Sequence, residues 1–280
     1  MADERERWAL ILGASSGMGE ATAIALAKAG YRICGIHLDF RASLAHVEEI
    51  KAAIWAAGSE ALFVNTNAAS DEKRAAAIAA LAERFEQSRA EGRHPYVRVL
   101  LHSLAFGSLL PFLADDPKDA ISRKQMEMTL DVMASSLVYW VQDLYRGGFL
   151  ERGSKVWALT SEGSIHVIPS YGAVSAAKSA LESNCRQLAM ELARRGTGIA
   201  VNALRAGTTD TPALRKIKEA DTIMAVTRRR NPHGRLTTVE DVATAIVHLS
   251  EPDSDWISGD TIGVDGAEFV TGFSTESAII

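Results

Sequence analysis

A chain of 280 residues, 47% hydrophobic and 23% charged, holds enough apolar material for a large core that buries roughly three quarters of its unfolded surface, which excludes a disordered, collagen-like or small disulfide-held protein. Thirty basic against 35 acidic residues leave a formal charge of −5, and a pI near 5.8 offers no electrostatic reason to expect nucleic acid. The two cysteines, Cys34 and Cys185, sit in apolar stretches and read as buried thiols of a reducing compartment, not as a disulfide or metal site.

The opening Met1–Arg7 is charged and lacks the apolar stretch of a signal peptide. No apolar run reaches the roughly 20 residues of a membrane helix, so a soluble, cytoplasmic protein without a membrane partner is expected. Strand-like and helix-like stretches then alternate. Trp8–Leu12 reads as a strand, 19–30 as an alanine-rich helix, Ile33–Leu38 as a strand and Ser43–Ala57 as a helix. Ala61–Thr66, Val97–His102, Val156–Thr160, Ile199–Leu204 and Thr261–Val264 follow as strands. Helices are expected at Asp71–Gln87, Lys124–Tyr145, Tyr171–Arg194 and Val239–Leu249. This alternation predicts an α/β fold: a doubly wound parallel sheet of the Rossmann type, about seven strands, with helices on both faces. No linker or repeat divides residues 1–280, which read as a single domain. A substrate lid is expected at about 208–234, over the carboxyl edge of the sheet where such folds bind ligands.

The turn Gly13-Ala14-Ser15-Ser16-Gly17-Met18-Gly19 lies directly between the first strand and the first helix. Glycines let the backbone approach a ligand closely, and the helix N-terminus offers unpaired N–H groups to a pyrophosphate. Gly13, Ser15, Ser16, Gly17, Met18 and Gly19 are therefore candidate cofactor-binding residues. At the end of the second strand Asp39 suits the ribose of NAD, whereas Arg41 suits the 2′-phosphate of NADP; the motif leaves both open. Tyr171 and Lys178 stand seven residues apart, two helical turns, and share one face. A lysine beside a tyrosine is expected to lower the phenol's pKa and fit it for proton transfer.

The glycine spacing, the late Tyr–Lys helix, the run Val201-Asn202-Ala203-Leu204-Arg205-Ala206-Gly207 and the closing Gly259–Gly266 together resemble the short-chain dehydrogenase/reductase family over residues 8 to about 268. Six residues between Tyr171 and Lys178, and His102-Ser103-Leu104-Ala105 in place of the family's usual Asn-Asn-Ala-Gly, are similar to its enoyl-acyl-carrier-protein (ACP) reductase branch. Met133 replaces an Asn that supports a water relay in carbonyl reductases. Ser161 stands where many enoyl reductases carry a second aromatic, and the stretches Ser161–Tyr171 and Asn231–Val242 look like a branch that favours NADPH. NADP(H) is thus slightly favoured, with NAD(H) kept open.

The resemblance implies hydride delivery to the β-carbon of a trans-2-enoyl thioester, a small or carrier-bound acyl substrate, and a homotetramer. Tyr171 would serve the developing enolate. Lys178 would hold the nicotinamide ribose, and Ser161 or Thr160 would add a second hydroxyl. Ser103, Gly207, Thr209 and Thr211 would line the cofactor, and Asn67 and Ala68 would flank its adenine. Reduction of a 3-oxoacyl or other carbonyl compound is the alternative enzyme; a non-catalytic nicotinamide-binding sensor is the alternative from another class.

Other features read more plainly. Leu214, Ile217, Ile223 and Met224 suit either an acyl channel or ordinary helix packing. Arg228-Arg229-Arg230 reads as a solvated face, with an acidic carrier protein as its other possible use. Trp140 and Trp157 read as packing residues, and His102 as a buried, hydrogen-bonded group. The histidines show no metal spacing. The tail Phe273–Ile280 is expected to dock on a neighbouring subunit.

Overall fold

In the computed structural model, which describes residues 5–271, one sheet of parallel strands runs in the order β3-β2-β1-β4-β5-β6-β7. The strands are β1 (Arg5–Leu12), β2 (Arg32–His37), β3 (Ala61–Asn65), β4 (His94–His102), β5 (Lys155–Thr160), β6 (Ala200–Ala206) and β7 (Thr261–Val264). The helices among the described residues are α1 (Gly17–Lys28), α2 (Leu44–Ala56), α3 (Asp71–Ala90), α4 (Arg123–Leu130), α5 (Ser136–Arg146), α6 (Gly172–Arg194), α7 (Ala220–Arg230) and α8 (Val239–Leu249). The tail Phe273–Ile280 lies outside the described residues.

Alternation along β1 explains the layering. Trp8, Leu10 and Leu12 point to one face, where they pack with Phe85 of α3, Trp140 of α5 and Leu181 of α6. Ala9 and Ile11 point to the other, with Leu26 of α1, Ile54 of α2 and Val242 of α8. Side chains alternate at every step along a strand, so a strand covered on both faces must be apolar throughout. Trp140 and Trp157 are both buried, as expected of packing residues. The strand order reverses between β1 and β4, which opens a crevice at the carboxyl edge of the sheet.

The single helix expected at Lys124–Tyr145 is interrupted. A π-turn at Asp131–Ser135 separates α4 from α5. Ser136 Oγ donates to Val132 O at 2.8 Å, and Asn184 of α6 donates from Nδ2 to Ala134 O at 3.1 Å, so side chains satisfy carbonyls at the interruption. The segment 208–234 likewise contains a helix, α7, that the sequence reading treated only as a lid. Met224 of α7 is buried, while Leu214, Ile217 and Ile223 are half-buried.

Candidate active site

Because all the strands run in parallel, their carboxyl ends meet at one edge. The turn after β1 has a form only glycine takes without strain. Gly13 and Gly17 have φ of +91° and +56°. A Cβ on Gly13 would stand 2.7 Å from the carbonyl oxygen of Ser103, and one on Gly19 would stand 1.9 Å from that of Gly13. Ser103 N donates to Leu12 O at 2.9 Å, which fixes β4's exit against the turn. Ser16 is the N-cap of α1 but makes no side-chain cap bond, so the first amides of the helix are left to a ligand. Thr211 completes the cradle: a Cβ on Gly17 would lie 3.4 Å from its Cγ2. Gly13, Gly17, Gly19, Ser103 and Thr211 are thereby brought together, with Ser15, Ser16 and Met18 on the same turn. Backbone approach and uncapped amides of this kind fit a dinucleotide pyrophosphate.

At the end of β2, the Asp39 carboxylate accepts from His37 Nδ1 at 2.9 Å, and its backbone exchanges two hydrogen bonds with the Asn65 side chain at 3.0 and 2.9 Å. Arg41 is exposed on a 3-10 turn beyond it. The acid is held; the base is not. Asn67 Oδ1 accepts from Ala69 N at 3.0 Å, and Ala68 O accepts from Trp140 Nε1 at 2.9 Å, so the turn after β3 is set from both sides. Thr209 is packed inward. Its hydroxyl donates to Gly207 O at 2.9 Å and it bridges Thr237, so of the two threonines it is Thr211 that meets the cradle.

The chemical end is built on β5 and α6. Ser161 Oγ and Tyr171 Oη lie 3.5 Å apart. Gly163 permits this, since a Cβ there would stand 2.6 Å from the tyrosine ring. Ser170, immediately before the tyrosine, has a φ of +59°, a left-handed conformation that costs a non-glycine residue about 1–3 kcal/mol. Thr160 Oγ1 donates instead to Glu182 Oε1 at 2.7 Å, so Ser161 is the hydroxyl that faces the phenol. Lys178 Nζ donates to Leu159 O at 2.6 Å and keeps two further donors for a ribose.

The titrations differ from expectation. Burial pushes the Tyr171 phenol above its ordinary pKa, partly offset by Ser161, and Lys178 does not lower it. The phenol therefore stays protonated at neutral pH. Burial also pushes Lys178 down to about 8, against the pull of Glu182. His102 is buried and hydrogen-bonded, as expected. Its Nε2 lies 2.8 Å from the Ser136 oxygen, whose own proton goes to Val132 O, which makes Nε2 the protonated nitrogen. Burial and the charge of Lys178 hold His102 down at about 3, so the imidazole is neutral.

Sequence reasoning missed three charged residues at this edge. Arg230 does not share the solvated face of Arg228 and Arg229. It turns inward to Glu162 Oε2 at 2.8 Å and Glu268 Oε1 at 3.1 Å. The three residues are 38 to 106 positions apart, and no local pattern announces such a pairing.

A doubly wound sheet with a glycine cradle after β1 and a Tyr–Lys helix after β5 defines a short-chain dehydrogenase/reductase. A family profile described as Enoyl-(Acyl carrier protein) reductase matches residues 13–267, and the chain belongs to that family. The enoyl-acyl-carrier-protein reductase (NADH) FabI of Buchnera aphidicola is 33% identical over 174 residues, 62% of this chain and 65% of that protein. The FabI of Aquifex aeolicus, also named for NADH, is 31% identical over 189 residues, 65% of this chain and 66% of that one. The matched stretches thus span just under two thirds of these relatives' length. The crystal structure of the Aquifex aeolicus enzyme has a TM-score of 0.79 at 26% identity, covering 96% of this chain and 98% of that one.

These relatives correct the expectation of NADP(H), since all five first-ranked ones are named as NADH enzymes. The physical reason lies at β2. The anchored Asp39 carboxylate repels a 2′-phosphate, and the exposed Arg41 is not positioned to outweigh it.

Proposed function

We propose that the chain is an NADH-dependent reductase of trans-2-enoyl thioesters carried on an acyl carrier protein. The observation that carries this reading is the pair of hydroxyls, Ser161 and Tyr171, 3.5 Å apart at the carboxyl end of β5, with the buried Lys178 on the same helix tied to Leu159 O of that strand.

When bound, the nicotinamide supplies the hydride that adds to the β-carbon. The carbon–carbon double bond is reduced, and charge collects on the thioester oxygen. Tyr171, whose phenol stays protonated, donates to that oxygen where the charge develops. A proton then reaches the α-carbon, which balances the reduction. Lys178 holds the ribose with the donors that Leu159 O leaves free. Ser161 offers a second donor to the same oxygen. The buried core behind β5 excludes water from that side.

The remaining expectations complete the proposal. Residues 1–280 form a single reductase domain with 208–234 as the lid, working in the cytoplasm as a homotetramer. No helix among the described residues is long and apolar enough to cross a membrane. Arg228 and Arg229, exposed at the end of α7, supply positive charge for an acidic carrier.

The test is NADH oxidation by the purified protein with crotonyl-thioester beside acetoacetyl-thioester. Turnover of the crotonyl substrate is expected. Turnover of acetoacetyl-thioester alone would establish carbonyl reduction instead, a reading favoured by one observation: a serine, not an aromatic, faces the phenol.

A further inference from the structure

The segment 208–234 hangs at both ends from one carboxylate. Glu268, only 2% exposed, accepts from Thr208 N at 3.2 Å, Thr208 Oγ1 at 2.7 Å and Arg230 Nη2 at 3.1 Å. Thr208 opens the segment and Arg230 is the last residue of α7. Thr227 Oγ1 closes the stem again, donating to Thr208 Oγ1 at 3.2 Å. The stem is tight. A Cβ on Gly207 would stand 2.3 Å from Thr237 Oγ1 and 2.9 Å from Glu268 Oε2.

The same guanidinium reaches the catalytic loop. Arg230 Nη2 donates to Glu162 Oε2 at 2.8 Å, and Glu162 directly follows Ser161. The Phe269 ring, next to Glu268, is stacked on His166 at 5.1 Å and carries the Arg205 guanidinium 3.6 Å from its centroid. The C-terminal turn is thus wedged between the loop after β5 and the end of β6.

We propose that Glu268 and Arg230 form a clamp that fixes the stem of the lid and sets it in register with the Ser161–Tyr171 loop, so that Arg230 is a positioning residue for the acyl substrate. The proposal rests on the reductase reading above. One nitrogen of the guanidinium, Nη2, meets both carboxylates at once with its two N–H groups, and each bond is charge-assisted. The tip of the lid is left to move about a fixed stem: Lys216 and Lys218 are exposed and form no ion pair among the described residues. The side chains of Glu268 and Arg230 make no hydrogen bond to the turn after β1 or to Lys178, so the clamp bears chiefly on the acyl side, although its stem also carries Gly207 and Thr211.

Two readouts test it in the full-length protein. Arg230→Met and Glu268→Gln are expected to raise the rate of trypsin cleavage at Lys216 and Lys218, mapped by mass, roughly tenfold. They are expected to raise KM for crotonyl-thioester by about as much while kcat stays within roughly threefold and the Kd for NADH rises by less than KM does. Arg230→Lys should recover part of both effects. Thr208→Val, which removes the hydroxyl's two hydrogen bonds, to Glu268 and from Thr227, and keeps every charge, should shift both in the same direction by less, and serves if the stronger variants fail to fold. Unchanged lid cleavage in the folded variants overturns the clamp. So does a fall in kcat with KM unmoved. If the parent protein reduces no enoyl thioester, the functional reading fails on its own, and the cleavage rates still decide the clamp.

Discussion

The two edges of the sheet are built on opposite terms. At the amino edge, charges are closed upon one another. Glu6 is almost fully buried and accepts from Trp8 Nε1 at 2.7 Å and Ser88 Oγ at 2.7 Å, with Arg93 at 2.9 Å and Arg32 at 3.1 Å. Glu60 ties Arg32 to Arg84. Further along that edge, Arg98 donates to Ser250 O and Gly153 O, and the buried Lys155 meets Asp255 at 2.8 Å. At the carboxyl edge, the first amides of α1 lack a side-chain cap, a serine is held in a left-handed conformation, and among the described residues the Tyr171 hydroxyl meets no polar side chain but Ser161. Charges paired with one another make an edge rigid and inert. Donors left without fixed partners, on a backbone held in place, make an edge that binds.

This contrast predicts that substitutions at the two edges move different observables. The largest effect is expected from Tyr171→Phe. Removing a proton donor costs roughly 10²–10⁴ in turnover, with NADH binding by fluorescence and Tm both retained. A variant that kept its rate would show that the phenol is not the donor. At the other edge, Glu6→Gln should leave kcat unchanged and lower stability by about 2–4 kcal/mol, since it breaks a buried charge network. That corresponds to a Tm drop of roughly 4–8 °C in calorimetry. A loss of activity without a loss of stability there would dissolve the contrast.

A third prediction concerns pH. The unfolded His102 imidazole takes up a proton near pH 6.5, but the buried one only near 3. The unfolded state therefore binds more protons between those values, and stability falls as pH drops through that window. The share due to His102 is roughly 2 kcal/mol by pH 5. Urea unfolding at pH 7 and pH 5 should show a steeper loss in the parent than in His102→Gln. The smallest effect is expected from Arg41→Ala, with KM for NADH within about twofold because the side chain is exposed. A large rise would return Arg41 to the cofactor site.

What the sequence shows best is what local pattern controls. Strands such as Thr261–Val264 and helices such as Val239–Leu249 follow from apolar spacing and turn residues. The glycine cradle is legible because position after a strand and before a helix constrains it. The protonation of Tyr171 was not legible, because two helical turns bring Lys178 to the same face without making it dominate a buried phenol. Arg230 was misread as solvent-facing because its partners, Glu162 and Glu268, lie far off in the chain. The break in the helix after β4 depends on Ser136 and on Asn184 from another helix, and apolar periodicity averages over it.

That break has a consequence for helical phase. A π-turn is an α-helix carrying one extra residue, so the side chains of α4 are rotated by about 100° from where an unbroken helix would put them. In the rotated setting Thr129 is buried and its hydroxyl accepts from Ser108 N at 3.0 Å, and Gly107 fits against Met133 and Val174. Excising one residue from 131–135 would mend the helix and turn Thr129 away from the strand-four loop. A single-residue deletion would thus act as a rotation, reaching the mouth of the site without altering any residue that lines it.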